Sequence, residues 1–261
     1  MSGLLLACNP QKKVQNKANK AFEYYSKGKK YQSAVLFEEL GYDYPDSELR
    51  PKNIYNAATI YNEVDSLNDA LRVYKAFLKF DVNDADKDSS RGAWETRANY
   101  RHYSARKIAE IYFAKKEFKN SIEYLDKAKY DFPYQSDSVR SLRREALLID
   151  DLKAKNLYNL GQKEEAICLM FPHAFTESPW SSHPAKELLI EWFEKDFDLK
   201  EALRKVKNAI ESCNVNHTHF ELAFFGRKVI VVPAEVEMEG LDLEYLFNSS
   251  FYRELYLKSY R

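Results

Sequence analysis

The sequence predicts an all-α fold: about five irregular helical hairpins in chain order, closed at the C-terminal end by a small β-hairpin. Three observations predict it. Only seven glycines and eight prolines occur in 261 residues, about half of ordinary usage. That leaves few positions for the positive-φ turns of a turn-rich β fold. A pattern of small and bulky residues recurs along most of the chain. From Thr218 that pattern gives way to strict alternation, the period of a half-buried strand.

The first copy runs from Ala21 and Tyr24 to Ser33, Phe37, Leu40 and Pro45. The second runs from Ala58 and Tyr61 to Ala70, Tyr74, Phe77 and Val82. The third runs from Ala109 and Tyr112 to Ser121, Leu125, Ala128 and Pro133. Each pairs a small residue with an aromatic one three positions later, then repeats the small residue on a second helix. The second helix continues with i+4 and i+7 offsets. Small residues let the two helices approach, and bulky ones fill the space to the next hairpin. Proline ends the second helix because it lacks the N–H for an i to i−4 bond. Gly28 and Gly161 fall at inter-helix turns, where glycine takes the left-handed C-cap conformation. Two weaker copies follow, Ala154, Leu157, Ala166 and Met170, then Ile190, Phe193, Ala202, Val206 and Ala209.

This pattern resembles the tetratricopeptide repeat (TPR), a helical hairpin of about 34 residues that stacks into an array. The resemblance covers residues 16–212 and implies a right-handed superhelix. The second small positions are Ser33, Ala70, Ser121, Ala166 and Ala202, spaced 37, 51, 45 and 36 apart, so the array is irregular. The longest step holds an insertion at 84–92, read as a solvated acidic loop. After it, Trp94 to Phe113 reads as one lengthened helix, and Ser138 to Leu160 as another. Phe171 to Pro184 reads as a linker and candidate hinge.

In the C-terminal segment, Phe220, Leu222 and Phe224 share one face, with His219, Glu221 and Ala223 on the other. With a turn at Gly226-Arg227 and the β-branched run to Val232, this reads as a hairpin, followed by short helices at 241–247 and 251–257. The expected organisation is a start and tether at 1–15, a solenoid at 16–212, and a cap at 213–261 that covers the solenoid's apolar end.

Composition excludes several classes. Lys plus Arg equals Asp plus Glu at 40 each, and no basic stripe appears, so nucleic acid is not an expected partner. No two glycines lie within ten residues of each other, which excludes the clustered glycines of dinucleotide and Walker phosphate loops. The three cysteines have no paired spacing, so neither a disulfide framework nor a zinc site is expected. Cys213, His217 and His219 form C-x3-H-x-H, which lacks a fourth ligand. Cys168 reads as core. The pairs Glu38-Glu39, Asp150-Asp151 and Glu164-Glu165 read as solvated helix faces. No cofactor and no metal are expected.

At the start, Leu5-Leu6-Ala7-Cys8 resembles a bacterial lipobox, followed by a polar, Lys-rich stretch to Lys20. The resemblance implies lipidation at Cys8 and a place in the cell envelope. Only seven residues precede Cys8 and none is basic, unlike a full signal segment. Either further sequence lies upstream, or Leu4–Leu6 is the first apolar cluster of a cytoplasmic protein.

In the TPR family the first helices of successive repeats line a groove that binds peptides or partner helices. Transferring that frame places Tyr25, Tyr55, Thr59, Asn62, Arg106, Glu110, Phe113, Lys155 and Tyr158 in the groove. Tyrosine suits such a surface because it gives large contact area at low entropy cost; the same tyrosines also suit packing between repeats. The family's carboxylate clamp is present only in fragments, with Ala18, Phe22, Asn56 and Arg106 at the equivalent places. The expected function is a non-catalytic scaffold for a protein or peptide, membrane-associated only through a lipid at Cys8. The alternatives are a glycan-capturing lipoprotein and an enzyme with its site around His217, His219 and Glu221.

Overall fold

A computed structural model describes residues 10–86, 97–176, 185–233 and 241–260. Cys8 and the linker at 177–184 lie outside the described residues. The chain divides into two compact units, 1–149 and 150–261.

The first unit holds α1 (Pro10–Ser26), α2 (Lys30–Asp43), α3 (Arg50–Glu63), α4 (Leu67–Phe77), α5 (Tyr100–Ala114) and α6 (Phe118–Asp126). A π-helical turn, Lys127–Asp131, extends α6, and α7 (Val139–Asn159) crosses the division at residue 149. The second unit continues with α8 (Lys163–Phe175), α9 (Ala185–Asp196) and α10 (Leu199–Glu211). Strands β1 (Asn214–Val215), β2 (Phe220–Phe224) and β3 (Arg227–Val231) follow, then α11 (Leu243–Phe247) and α12 (Ser250–Ser259).

The helices pair as the small-residue pattern requires. Ser33, Ala70, Ser121, Ala166 and Ala202 are all buried, as are Ala21, Ala58, Ala109 and Ala154, each twelve positions earlier. The Ser33 hydroxyl donates to the Ala21 carbonyl at 2.7 Å, and Ser121 donates to Ala109 at 2.8 Å, both across twelve residues. Four hairpins also share one turn. Gly28, Asp65, Lys116 and Gly161 all take positive φ, between 58° and 81°. In each, the next residue's N–H reaches back to the preceding helix, as in Lys29 to Tyr24 at 2.9 Å and Glu117 to Tyr112 at 2.8 Å. This is the left-handed C-cap of a Schellman turn. The fifth hairpin starts its second helix differently: the Asp198 carboxylate caps α10 by accepting from Glu201 N–H at 2.9 Å.

Two apolar cores result. In the first unit Phe37, Ile54, Tyr74, Phe77 and Ile108 are buried together with the small residues. In the second, Phe171 stacks on Phe224 at 4.1 Å and meets Phe251 edge-on at 5.9 Å, so the C-terminal segment shares the core of the helices it follows.

Several expectations are corrected. Helix α5 begins at Tyr100; Arg97–Asn99 are not helical, because Asn99 takes a left-handed φ of 47°. Its side chain exchanges hydrogen bonds with the Gln135 backbone at 2.8 and 2.9 Å, which holds it there. Asp84 is not part of a solvated loop. It is buried, and its carboxylate accepts from the Arg101 N–H at 3.0 Å and from the guanidinium at 3.2 Å, capping α5. Residues 171–175 belong to α8 and not to a linker: the helix continues through Pro172 because Phe171 and Phe175 are buried against Phe251. The two-residue turn is Phe225-Gly226, with φ of 46° and 71°, the conformation hairpins favour. β1 pairs antiparallel with β2, so the segment is a three-stranded sheet in the order β1-β2-β3. Glu38 and Asp150 are engaged and not merely solvated. Glu38 accepts from Tyr61 and from both ends of the Arg72 guanidinium, and Asp150 lies 3.2 Å from His173.

Candidate functional site

The first helices α1, α3 and α5 place most of the candidate residues. On α3, Tyr55, Thr59 and Asn62 share one face by i, i+4 and i+7 spacing, as do Arg106, Glu110 and Phe113 on α5. The Tyr25 hydroxyl donates to Glu63 at 2.8 Å, and Lys30 donates to the same carboxylate at 3.3 Å while lying 5.1 Å from the Tyr25 ring. The bond to Glu63 raises the Tyr25 phenol above its ordinary value, so it stays a neutral donor. Thr59 and the Tyr74 hydroxyl are 3.2 Å apart. Burial raises the Tyr74 phenol, and the nearby Tyr55, Glu110 and Glu63 add to it.

These side chains do not play one role. Tyr55 is half-buried and meets Tyr100 at 5.2 Å and Tyr74 at 6.1 Å, so its ring fills the seam between hairpins. Tyr25 and Asn62 are partly exposed on helical faces. Phe113 packs against Phe118 at 5.8 Å. Arg106 spans Glu110 at 3.3 Å and Glu145 at 2.9 Å.

The Arg106 pair belongs to a cluster that the sequence reading missed. His102 is buried, with Nδ1 facing the carbonyls of Ala128 at 3.1 Å and Phe132 at 2.9 Å. Its Nε2 faces the buried Glu145 carboxylate at 3.1 Å. Burial alone would raise the Glu145 carboxyl, but the His102 bond and the Arg106 charge overcome it, and the group is held below its ordinary value. Glu145 is therefore ionised between the His102 ring and the Arg106 guanidinium. The available signal was position: His102 lies four residues before Arg106 and seven before Ala109, on the buried stripe of α5.

Lys155 and Tyr158 lie in the second unit. Lys155 bonds Asp151 at 2.8 Å. The Tyr158 ring stacks on Trp192 at 4.4 Å and 11°, and its hydroxyl donates to Asp196, which also receives Lys163. The Lys163 bond, ahead of the Tyr158 bond, holds the Asp196 carboxyl low.

The C-terminal histidines are not on a strand. His217 is exposed in the bend between β1 and β2, and His219 sits 3.2 Å from both Asn216 and Glu221. Among the described residues no three His, Cys, Asp or Glu side chains converge to hold a metal ion. Cys168 is a neutral thiol: burial pushes it up to about 11, and it donates to the Phe224 carbonyl at 3.3 Å. A cleft of about 470 Å³ lies beside it, lined by Leu157 of α7, Leu169 and Pro172 of α8, and the consecutive Arg227–Ile230 of β3.

The recurring twelve-residue register across paired helices defines the class, a helical-hairpin repeat protein of the kind the TPR resemblance implies. No family model and no curated protein matches the sequence. The chain is similar to a solved Podosopora anserina chain described as kinesin light chain with nearly identical TPR-like repeats. The TM-score is 0.48 at 15% identity, covering 74% of this chain and 90% of that one. A single-substitution variant of the same chain gives 0.47 at 15%, covering 75% and 92%. Among the described residues no helix is long and apolar enough to cross a membrane.

Proposed function

We propose that this protein is a non-catalytic scaffold that holds a protein or peptide partner on the α1, α3 and α5 face of its first unit. The observation that carries the reading is the arrangement of polar groups there. Three successive first helices present Tyr25 with Glu63 and Lys30, then Asn62, then Arg106 with Glu110 and Lys107. Hydroxyl, amide and charged groups spread over a fixed helical surface suit orientation of a partner, and the Tyr25 ring supplies contact area. The reading extends to a lipid on Cys8 that tethers the scaffold in the cell envelope.

The test avoids Tyr55 and Arg106, whose loss would disturb packing or take one of Glu145's two partners. Wild type and a Tyr25→Ala, Asn62→Ala double variant are used as bait in envelope extract, with circular dichroism as the folding control. Loss of a wild-type partner from the folded double variant supports the face; retention of every partner overturns it. Lipidation is read by mass on protein expressed from its own genomic reading frame, against Cys8→Ser. An unmodified wild-type Cys8 removes the envelope assignment and leaves the scaffold.

A further inference from the structure

We infer that the free edge of β3 is a docking site for an extended peptide, which adds a fourth strand to the sheet of the second unit. This site is separate from the helical face proposed above, and each can fail without the other.

Strand pairing sets the argument. The register runs from Phe224 opposite Arg227 to Phe220 opposite Val231. A two-residue turn makes Phe224 and Arg227 a hydrogen-bonded pair, and the bonding then alternates along an antiparallel ladder. Arg227, Val229 and Val231 therefore spend their peptide groups on β2. Lys228 and Ile230 direct theirs to the other edge, where β3 is the last strand among the described residues. No described residue pairs with those edge groups. An unpaired strand edge is a template for another strand.

The surroundings select the occupant. The cleft of about 470 Å³ runs along Arg227–Ile230, with Leu157, Leu169 and Pro172 across from them beside Asp150, Lys153, Glu165 and His173, so inward side chains of an added strand meet apolar and charged groups together. On the outer face Lys228, Ile230 and Val232 are exposed in alternation with the buried Val229 and Val231. Lys228 already donates to Glu221 on β2 at 2.7 Å, yet its side chain is 61% exposed. One strand further, this stripe is continued by a carboxylate beside Lys228 and β-branched residues beside Ile230 and Val232. The occupant is thus a peptide with an acidic residue followed by alternating β-branched ones. A second copy, paired antiparallel across a two-fold axis, would set Lys228 against the apolar Ile230–Val232 end and bring no carboxylate to it.

The probe is a fluorescein-labelled peptide, Ser-Glu-Val-Ile-Val-Thr, titrated by anisotropy against the full chain. Ile230→Pro removes only the outward N–H, which no β2 partner uses, and proline is tolerated at such edge positions. The expected result is saturable binding by wild type and at least tenfold weaker binding by Ile230→Pro, with unchanged circular dichroism. Lys228→Glu is expected to weaken the same peptide several-fold and to bind its Glu-to-Lys version better. No saturable binding by wild type, or equal binding by folded Ile230→Pro, overturns the proposal. If Ile230→Pro unfolds, Lys228→Glu decides: unchanged affinity for both peptides overturns it. Sedimentation showing a wild-type dimer that Ile230→Pro converts to monomer would assign the edge to a second copy and also overturn it.

Discussion

Glu145 is buried, and two side chains reach it: the Arg106 guanidinium at 2.9 Å and the His102 ring at 3.1 Å. Such a group stabilises the fold only while every member keeps its partner. Glu145→Gln removes the buried carboxylate between His102 and Arg106 and leaves Arg106 only Glu110, at 3.3 Å, which costs about 3 kcal/mol. Urea unfolding followed by circular dichroism should show that loss. The pH dependence has a definite sign. The folded carboxyl is held below its ordinary value of 4.5, so its contribution is complete above that pH and is lost as pH falls through the lowered folded value. Wild type should lose stability on acidification from pH 5 toward 3, and Glu145→Gln should show a shallower loss over that range. His102 also explains the π-helical turn at Lys127–Asp131. Its Nδ1–H takes the carbonyls of Ala128 and Phe132, which a regular helix end would leave to other donors.

At the scale of elements, two features fix how one helix meets the next. The first is the left-handed residue in the turn. Two hairpins use glycine and two use Asp65 and Lys116 at the same conformation. Nothing lies within 4 Å of a Cβ built on Gly28, so the effect of Gly28→Ala is conformational alone, a loss of about 1 kcal/mol. Lys116→Gly should stabilise by about 0.5 kcal/mol, because relief of the left-handed strain exceeds the added freedom of the unfolded chain. Thermal melts of the two variants should shift in opposite directions. The second feature is close approach. A Cβ on Gly41 would stand 2.1 Å from the buried Ile54 side chain, so α2 and α3 touch where glycine sits. Gly41→Ala should cost roughly 1–3 kcal/mol. Adding Ile54→Ala, which removes the Cγ1 and Cδ1 atoms that the new Cβ would strike, should cost less than the sum of the two single changes, because both act on one contact. A double-mutant cycle by urea unfolding checks this.

Across the whole molecule, the legible part of the sequence was the part that repeats. The small residues at 21, 33, 58, 70, 109, 121, 154 and 166 recur because each hairpin solves one geometric problem, and recurrence separates that signal from chance. The candidate face was legible only to the helix. Helical spacing placed Tyr55 and Asn62 together on α3, but it could not show that Tyr55 fills a seam while Asn62 is half-exposed. Features that occur once escaped: the Asp84 cap, the left-handed Asn99 and the His102 cluster each depend on residues 17 to 43 positions apart. The two-residue β1 escaped too, since Asn214-Val215 is too short to show alternation. If the repeated register carries the fold, residues at equivalent crossings should be interchangeable and departures from their size should not be. Ser33 and Ala70 occupy the same place, and the Ser33 hydroxyl adds one bond to a carbonyl on the facing helix. Ser33→Ala should therefore cost no more than about 1 kcal/mol. Ala70→Leu, which forces a branched side chain between α3 and α4, should cost about 1–3 kcal/mol. Urea unfolding of both variants checks the ordering, and equal losses for the two would mean that the hydroxyl bond, and not the small volume, sets the crossing.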